Sequence, residues 1–215
     1  MKMSKPTVLL ADDHKIVLEG LKSLLEDQFE IVATVQDGRK LLEKVKELRP
    51  DVIVVDITMP LLNGIDAVRQ VRKEGSKAKV VVLTMHQDAM YAKEAFDAGA
   101  SGFVLKHSAS SELVAAIDEA LKDNTFISPA IADELMRLYK GEVDVASGAF
   151  GTLTMRQREI LQLLAEGKSA KEVAHILHIS ARTVEFHKYN IMEQLGLKTG
   201  AELVHFAIKH GIVSI

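Results

Sequence analysis

The sequence contains no cysteine among its 215 residues. Disulfide bonds, thiolate nucleophiles and cysteine-based zinc sites are therefore excluded, which agrees with a reducing compartment. No apolar run approaches the roughly 18 residues that a membrane span requires, so we expect no membrane association. Residues 1–6 lack the hydrophobic stretch of a signal peptide, which favours a cytoplasmic location.

The chain also lacks a strong net charge, since its formal charge is −3 at pH 7. The charge is unevenly distributed: residues 152–215 contain 8 Lys+Arg and 6 Asp+Glu, a net +2, so −5 of the total lies in the rest of the chain. The length suits two domains better than one. We predict a first domain at 1–123, a linker with a short helix at 124–151, and a second domain at 152–215.

Apolar segments alternate with amphipathic helical segments throughout the first domain. The five predicted strands are Thr7–Ala11, Ile31–Val35, Val52–Val55, Val80–Thr84 and Gly102–Lys106. Strict alternation of strand and helix predicts an α/β doubly wound fold with a five-stranded parallel sheet. The strand order could be flavodoxin-like, although alternation alone does not fix it.

The segment Val52–Val55 consists only of β-branched residues and leads directly into Asp56. It shows no polar alternation, which is typical of a central parallel strand buried on both faces. Open parallel sheets bind ligands outside the carboxyl ends of their strands, so Asp56 would lie at the ligand-binding edge. A single aspartate after a strand is also typical of a turn or a helix N-cap.

Polar residues at the other predicted strand ends favour the ligand-binding interpretation. Asp12 and Asp13 follow the first strand, Thr84 ends the fourth, and Lys106 ends the fifth. Carboxylates that meet at one edge repel one another, and Mg²⁺ would relieve this repulsion. A hydroxyl and an ammonium group suit the oxygens of a phosphoryl group. The pattern indicates phosphoryl transfer to a carboxylate, which forms an aspartyl phosphate.

Residues 7–122 resemble a response-regulator receiver domain in a set of motifs that is specific in combination. The matching residues are Asp12-Asp13, Asp56 followed by Thr58-Met59-Pro60 and Asn63-Gly64, then Thr84 and Lys106. The resemblance implies that Asp56 is the phosphoacceptor. It further implies the metal ligands and the groups that contact the phosphoryl oxygens. The implied Mg²⁺ site comprises Asp12, Asp13, Asp56 and the backbone carbonyl of Thr58, with Asp12 in a supporting position.

The same resemblance assigns Thr84 and Lys106 to the phosphoryl oxygens. Phe103 matches an aromatic residue that turns inward when Thr84 engages phosphate, although an ordinary core ring is an equal alternative. Many family members have a proline with a cis peptide bond after the lysine. This chain has His107 there, so a cis bond is not assumed.

Particular residues of the chain do not fit two other classes of protein. A Rossmann dinucleotide site needs a glycine-rich turn after the first strand, where this chain has Ala11-Asp12-Asp13-His14. Phosphohydrolases of the haloacid-dehalogenase type use a second aspartate two residues after the nucleophile, where this chain has Thr58. We therefore expect a phosphoryl acceptor with at most slow self-dephosphorylation, and not an enzyme.

The segment after the fifth helix of this domain departs from the alternating pattern. Pro129 suits the first turn of a helix that runs to about Lys140. That helix either closes the first domain or positions the second. Residues 141–151 are rich in Gly, Ala and Ser, which is typical of a flexible tether.

From Thr152 onward the apolar period is helical. Four predicted helices are capped by Thr154, Ser169, Ser180 and Thr199, and Gln157 occupies the capping-box position of the first. The second and third are short and joined by a tight turn, which predicts a helix-turn-helix within an all-α domain of four helices.

The residues of this domain resemble the LuxR-type DNA-binding domain. The matching motifs are Leu153-Thr154-x-Arg156-x-x-Glu159, Glu166-Gly167-Lys168-Ser169-x-Lys171-Glu172-Val173-Ala174, Ile179-Ser180-x-Arg182-Thr183-Val184, His187, and Ile191-Met192-x-x-Leu195-Gly196. The two resemblances together imply a NarL/FixJ-type transcriptional regulator. The helix that begins at Ala181 would be the recognition helix in the major groove.

By resemblance, Glu185, Phe186 and Tyr189 reach base edges. Glu185 could accept a hydrogen bond from cytosine, or it could instead pair with Arg182 or Lys188. The residues expected at phosphates are Ser180, Arg182, Thr183, Lys188 and Lys198.

These observations predict a two-component response regulator that binds promoter DNA and is controlled by phosphorylation of Asp56 by a sensor histidine kinase. Mg²⁺ is the expected cofactor, a homodimer is expected when the protein is active, and RNA polymerase is a further candidate partner. The apolar last helix, with Leu203 and Phe206, could form the dimer contact. Two rival functions are a DNA-binding regulator whose receiver senses protein partners without phosphorylation, and a phosphatase.

Overall fold

A computed structural model describes residues 5–142 and 153–213 of the chain. It contains six strands and ten α-helices in these two stretches. The strands are β1 (Thr7–Ala11), β2 (Glu30–Val35), β3 (Val52–Val55), β4 (Lys79–Thr84), β5 (Gly102–Leu105) and β6 (Phe126–Ile127). The helices are α1 (Lys15–Leu25), α2 (Gly38–Leu48), α3 (Gly64–Lys73), α4 (Ala89–Asp97), α5 (Ala109–Leu121), α6 (Pro129–Tyr139), α7 (Met155–Ala165), α8 (Ala170–Leu177), α9 (Ala181–Leu195) and α10 (Gly200–Lys209). None of these helices combines the length and apolar character needed to cross a bilayer.

The sheet of the first domain is parallel, with the order β2-β1-β3-β4-β5-β6. The first five strands have the flavodoxin-like order, which confirms the doubly wound α/β prediction. Residues of β3 alternate between two cores, so Val52 and Val54 face one side while Ile53 and Val55 face the other. Helices α1 and α5 cover the first face, and α2, α3, α4 and α6 cover the second.

The prediction of five strands was wrong, because β6 adds a sixth at the edge beside β5. Gly102 pairs with Phe126, and Phe103 pairs with Ile127. The buried hydroxyl of Ser128 extends this pairing by accepting a hydrogen bond of 3.0 Å from the backbone N–H of Leu105. A strand of two residues is too short to produce a recognisable period, which is why the pattern did not predict it.

Helix α6 begins at Pro129 as predicted. Its buried residues Ile131, Leu135 and Leu138 belong to the same core as α4, so this helix lies against the first domain. Residues 143–151 of the predicted tether lie outside the described residues, and the domain limits stay a prediction.

The second domain consists of α7 to α10. The predicted caps are present, and Thr154 and Ser169 each form a capping box with the residue three positions later. Helices α8 and α9 are joined through His178, which has a φ of 53°, and through the cap residue Ser180. This pair forms the predicted helix-turn-helix, and Val184 and Ile191 anchor α9 in the domain core.

Gly64 provides a test of how tightly α3 approaches the end of β3. An added Cβ there would lie 1.9 Å from the carbonyl oxygen of Asp56, whereas one at the exposed Gly20 of α1 would have no neighbour within 4 Å. We expect Gly64→Ala to destabilise the first domain by about 3 kcal/mol, and Gly20→Ala to stabilise it by about 0.5 to 1 kcal/mol. Thermal unfolding followed by circular dichroism measures both changes. A melting temperature of Gly64→Ala equal to that of wild type would contradict the close approach of α3 to Asp56.

Candidate phosphoacceptor and nucleic-acid sites

The carboxyl edge of the sheet brings together acidic and basic side chains from three strands, of which β1 and β3 are adjacent while β4 separates β3 from β5. Asp12 follows β1, Asp56 follows β3, and Lys106 follows β5. The ammonium Nζ of Lys106 lies 2.6 Å from Asp12 Oδ2 and 2.7 Å from Asp56 Oδ2. Asp12 and Asp56 are buried, with 1% and 6% of their surface exposed. A cation shared by two buried carboxylates is thus the centre of this edge.

The environment perturbs both partners of this contact. Burial raises the pKa of Asp56 from its ordinary 3.8 to about 6, while Lys106 opposes the rise and Asp12 adds to it. Burial acts to lower the pKa of Lys106, but the two carboxylates outweigh burial and the pKa is raised. The Lys106 ammonium therefore stays charged, and burial makes ionisation of the Asp56 carboxyl group less favourable than in water.

The acidic pair next to Asp56 fits a divalent cation. Asp12 Oδ2 and Asp13 Oδ1 are buried and have no hydrogen-bond partner of good geometry, although each lies 2.6 Å from a basic nitrogen, of Lys106 and of His14 respectively. Ligand atoms of Asp12, Asp13 and His14 lie within 4.8 Å of one another. Incompletely satisfied carboxylate oxygens are what a hard cation binds. The sequence prediction did not include His14 in this cluster.

The remaining predicted site residues flank this edge. Thr84 is fully buried at the end of β4, and its hydroxyl accepts a hydrogen bond of 3.2 Å from the backbone N–H of His86. The Phe103 ring is fully buried within the core that faces α4. Lys106 and His107 begin a short 3₁₀ turn, and none of the described peptide bonds is cis.

His86 is a residue at this edge that sequence reasoning missed. Its Nε2 lies 3.0 Å from the hydroxyl of Thr58, and its ring stacks on Tyr91 with centroids 4.3 Å apart. Burial lowers the pKa of His86. The two rings also touch the second domain, because a Cβ at Gly211 would lie 2.3 Å from the Tyr91 hydroxyl and 2.9 Å from the His86 ring. The only sequence signal that placed His86 near the site was its position two residues after Thr84.

A polar interdomain seam joins the loop after Asp56, together with α3, to helix α7. The seam consists of Met59, Leu61, Asn63, Asp66 and Gln70 on one side, and of Arg158, Glu159, Gln162 and Glu166 on the other. Arg158 Nε donates to Asp66 Oδ1 at 2.9 Å. Gln70 donates to Glu159, which also lies 3.3 Å from Arg39. The seam therefore begins three residues after the candidate phosphoacceptor.

The buried polar side chains of α7 were not predicted. The predicted apolar residues, such as Ile160 and Leu163, do lie in the core of the second domain. However, Arg158, Glu159 and Gln162 are buried as well, because the first domain covers the opposite face of the helix. The apolar residues at 160, 161, 163 and 164 all pack in or against the core of the second domain, so the apolar pattern gave no signal that the polar face of this helix is packed as well.

The predicted recognition helix α9 carries its proposed base-contacting residues on the surface. Phe186 is 62% and Tyr189 is 66% exposed, and Glu185 is also exposed. Within the described residues, Glu185 forms no ion pair with Arg182 or Lys188, which disfavours the alternative of a local tether. These side chains are therefore accessible to a partner surface.

The residues proposed for phosphate contacts are also accessible. Arg182 and Lys198 are exposed, and Thr183 and Lys188 are half-buried. The hydroxyl of Ser180 caps α9 by accepting a hydrogen bond of 3.0 Å from the backbone N–H of Thr183. These residues lie on or beside the helix-turn-helix and not in the interdomain seam.

Two known families match separate parts of the chain. Residues 8–118 match the family described as the response regulator receiver domain. Residues 151–207 match the family described as bacterial regulatory proteins, luxR family.

Curated relatives are similar over nearly the whole length. The transcriptional regulatory protein MctR of Rhizobium johnstonii is 40% identical over 212 residues, which cover 98% of this chain and 96% of that protein. The oxygen regulatory protein NreC of Staphylococcus epidermidis is 34% identical over 210 residues, which cover 94% of this chain and 96% of the relative.

Solved structures show the same likeness. A LuxR-family two-component response regulator from Aurantimonas sp. SI85-9A1 is 38% identical, with a TM-score of 0.61, and the match covers 64% of this chain and 99% of that one. RcsB from Salmonella enterica serovar Typhimurium, bound to promoter P1flhDC in the presence of the phosphomimetic BeF3⁻, is 25% identical, with a TM-score of 0.65, and the match covers 94% and 98% of the two chains.

The raised pKa of Asp56 predicts a pH-dependent effect of Asp56→Asn on metal-free protein. The folded state binds this proton more tightly than the unfolded chain, so the energetic cost of the carboxylate is absent below about pH 4 and complete above about pH 6. We expect the free energy of unfolding of Asp56→Asn to exceed that of wild type by at most about 3 kcal/mol above pH 6, and the two free energies to be equal near pH 4. Urea unfolding in EDTA measures the difference, and a gap of equal size at pH 4 and pH 7.5 would contradict the assignment.

Proposed function

We propose that this chain, which belongs to the two-component response regulators with a LuxR-type DNA-binding domain, is controlled by transfer of a phosphoryl group from a sensor histidine kinase to Asp56. In this reaction, a carboxylate oxygen of Asp56 attacks phosphorus while the bond from phosphorus to the donor nitrogen breaks. The observation that carries the proposal is the buried Asp12–Lys106–Asp56 contact at the carboxyl edge of the sheet.

The residues of the receiver have distinct tasks in this proposal. Asp12, Asp13, Asp56 and the backbone carbonyl of Thr58 would hold Mg²⁺, which neutralises carboxylate and phosphoryl oxygens when it is bound. Lys106 is already charged and in contact with Asp56, so it is placed to bind an oxygen of the transferred group.

Thr84 and Phe103 complete the proposed response. The Thr84 hydroxyl oxygen accepts a hydrogen bond from the backbone N–H of His86, and its proton would be donated to a phosphoryl oxygen. The Phe103 ring is fully buried in the core, which is the inward orientation that the resemblance implies. A movement of Thr84 would disturb His86, which contacts Thr58 and faces Gly211 of the second domain.

The second domain would bind promoter DNA through α9. The exposed Glu185, Phe186 and Tyr189 are proposed to contact bases, while Ser180, Arg182, Thr183, Lys188 and Lys198 contact phosphates. The net +2 of residues 152–215 is small, so one domain alone would bind weakly. Dimerisation would double the number of neutralised phosphates, and a solved structure of a similar protein contains two RcsB dimers bound to two parallel DNAs.

Exposure of α9 bears on how the receiver controls DNA binding. The interdomain seam uses α7 and leaves the side chains of Phe186 and Tyr189 accessible. This arrangement favours control of domain orientation or dimerisation over simple covering of the recognition helix. Half-buried apolar residues of α10, Val204, Phe206 and Ile208, are available for a contact between two chains.

A cytoplasmic location follows from the proposed DNA partner, and RNA polymerase would be contacted from the promoter. The rival in which the receiver senses only protein partners leaves the buried carboxylates and Lys106 without a task. The phosphatase rival lacks a second acidic residue at position 58, where Thr58 instead contacts His86.

Phosphorylation should tighten DNA binding through Asp56. On an operator selected from random DNA, we expect acetyl phosphate with Mg²⁺ to lower the dissociation constant of wild type roughly 10-fold, because a coupling of about 1.4 kcal/mol is typical between two sites. Asp56→Asn should show no such response in the same electrophoretic assay. Equal binding of both proteins with and without acetyl phosphate would make the partner-sensing function the better account.

Phosphate contacts should be visible in the salt dependence of binding. Arg182→Gln at the exposed start of α9 should reduce the slope of log K against log[salt] by about 1, because one fewer counterion is released. The loss should be similar on specific and random DNA. Lys122→Gln, on the surface of the receiver, is the matched control and should leave the slope unchanged; equal slopes for wild type and Arg182→Gln would remove Arg182 from the interface.

A further inference from the structure

The loop between β3 and α3, residues 56–63, carries two functional groups of the proposed metal site. It begins at Asp56 and contains Thr58, whose carbonyl is the proposed backbone ligand. The loop is anchored at its end because the backbone N–H of Gly64 donates to the carbonyl of Ile57 at 2.7 Å. The position of the Thr58 carbonyl therefore depends on what fixes residues 59–63.

Two side chains of the DNA-binding domain bind the backbone of this loop. Gln162 donates through Nε2 to the carbonyl of Met59 and accepts through Oε1 from the N–H of Asn63, both at 2.8 Å. Glu166 accepts from the N–H of Leu61 at 2.9 Å, and it also accepts from Gln162 at 2.8 Å. Gln162 is fully buried. One connected network from α7 thus engages the backbone at three alternate positions of the loop.

The receiver holds this loop through the Gly38 N–H, which donates to the carbonyl of Pro60 at 3.2 Å, and through the buried Met59 and Leu62. The conformation of Leu61 between them is nevertheless unfavourable. Its φ is +66°, in the left-handed region that favours glycine or asparagine and is unfavourable for leucine. The N–H of Leu61 is bound by Glu166, and its side chain packs against the core of the DNA-binding domain. A strained conformation persists only where its surroundings enforce it, and here both contacts come from the other domain.

We propose that Gln162 and Glu166 are positioning residues of the receiver's metal site, so that docking of the DNA-binding domain raises the affinity of the receiver for a divalent cation. The inference rests on the proposed function, because it requires a metal site at Asp13, Asp56 and Thr58. Gln162 touches neither the cation nor the phosphoryl group, and it acts through the Met59 and Asn63 backbone. Coupling is reciprocal, so occupation of the metal site stabilises docking by the same factor.

The test is a titration of the full-length protein with Mn²⁺, in which electron paramagnetic resonance measures the free ion. Outer partners of metal ligands typically change affinity by about 10- to 100-fold, and Gln162 is one step further out, so we expect Gln162→Leu to weaken Mn²⁺ binding about 3- to 10-fold. Glu166→Leu should weaken it as well. Glu166→Gln should retain wild-type affinity, because the amide oxygen still accepts from Leu61.

Gln70→Leu is the matched control, since it breaks the seam contact with Glu159 without touching residues 56–63. Wild-type Mn²⁺ affinity in Gln70→Leu, together with the loss in Gln162→Leu, supports the inference. Equal affinities of Gln162→Leu and wild type overturn it, as does an equal loss in Gln70→Leu. If Gln162→Leu is unfolded by circular dichroism, the difference between Glu166→Leu and Glu166→Gln decides the question.

Failure of the proposed metal site gives a different result from failure of the positioning role. If the metal site is absent, wild type itself would bind no Mn²⁺, and the Mn²⁺ titration of Asp56→Asn would be the same as that of wild type. A wild-type protein that binds Mn²⁺ through Asp56 while Gln162→Leu binds it equally well would refute only the positioning role.

Discussion

The contact of one lysine ammonium with two buried carboxylates is the constraint on which the receiver depends. Lys106 lies within 2.7 Å of both Asp12 and Asp56, although the three residues are far apart in sequence. Buried charges are tolerated only when they are paired, so β1, β3 and β5 must end at the same edge. The sheet satisfies this requirement because β1, β3, β4 and β5 are neighbours in this order and all run parallel, so their carboxyl ends share one edge. The same pairing keeps a basic group next to the proposed phosphoacceptor, Asp56.

The parts of the fold that were predictable have strong local signals. The β-branched run before Asp56 and the acidic pair after β1 indicated the sheet and its functional edge. The helix caps Thr154, Ser169 and Ser180 indicated where the helices of the second domain begin. Each of these features depends on neighbours in sequence or on a general rule of sheet architecture.

The parts that were not predictable depend on pairing between distant segments. Strand β6 exists because Phe126 and Ile127 meet the free edge of β5. The burial of Arg158 and Gln162 follows from the docking of the first domain against α7, and no period within α7 specifies that partner. The same holds for His86, whose contacts with Thr58 and Gly211 bring together three separate parts of the chain.

The polar character of the seam suits a contact that opens and closes. Arg158 pairs with Asp66, and Gln162 binds backbone groups, so water can replace these partners when the domains separate. An apolar interface of equal extent would expose hydrophobic surface on opening and would promote aggregation. The buried ion pair also makes the docked orientation specific, because a shifted register would leave charges unpaired.

Closure of the seam within one molecule has a consequence for cells that differ in the amount of this protein. Leu61 and Glu166 are 105 positions apart in the same chain, so their meeting is governed by a fixed effective concentration. Among unpaired chains the fraction of closed molecules is therefore independent of copy number, whereas the proposed pairing of two chains would rise with it. If the chain dimerises as proposed, variation in gene expression would alter how many pairs form, while the closed fraction of single chains would stay the same.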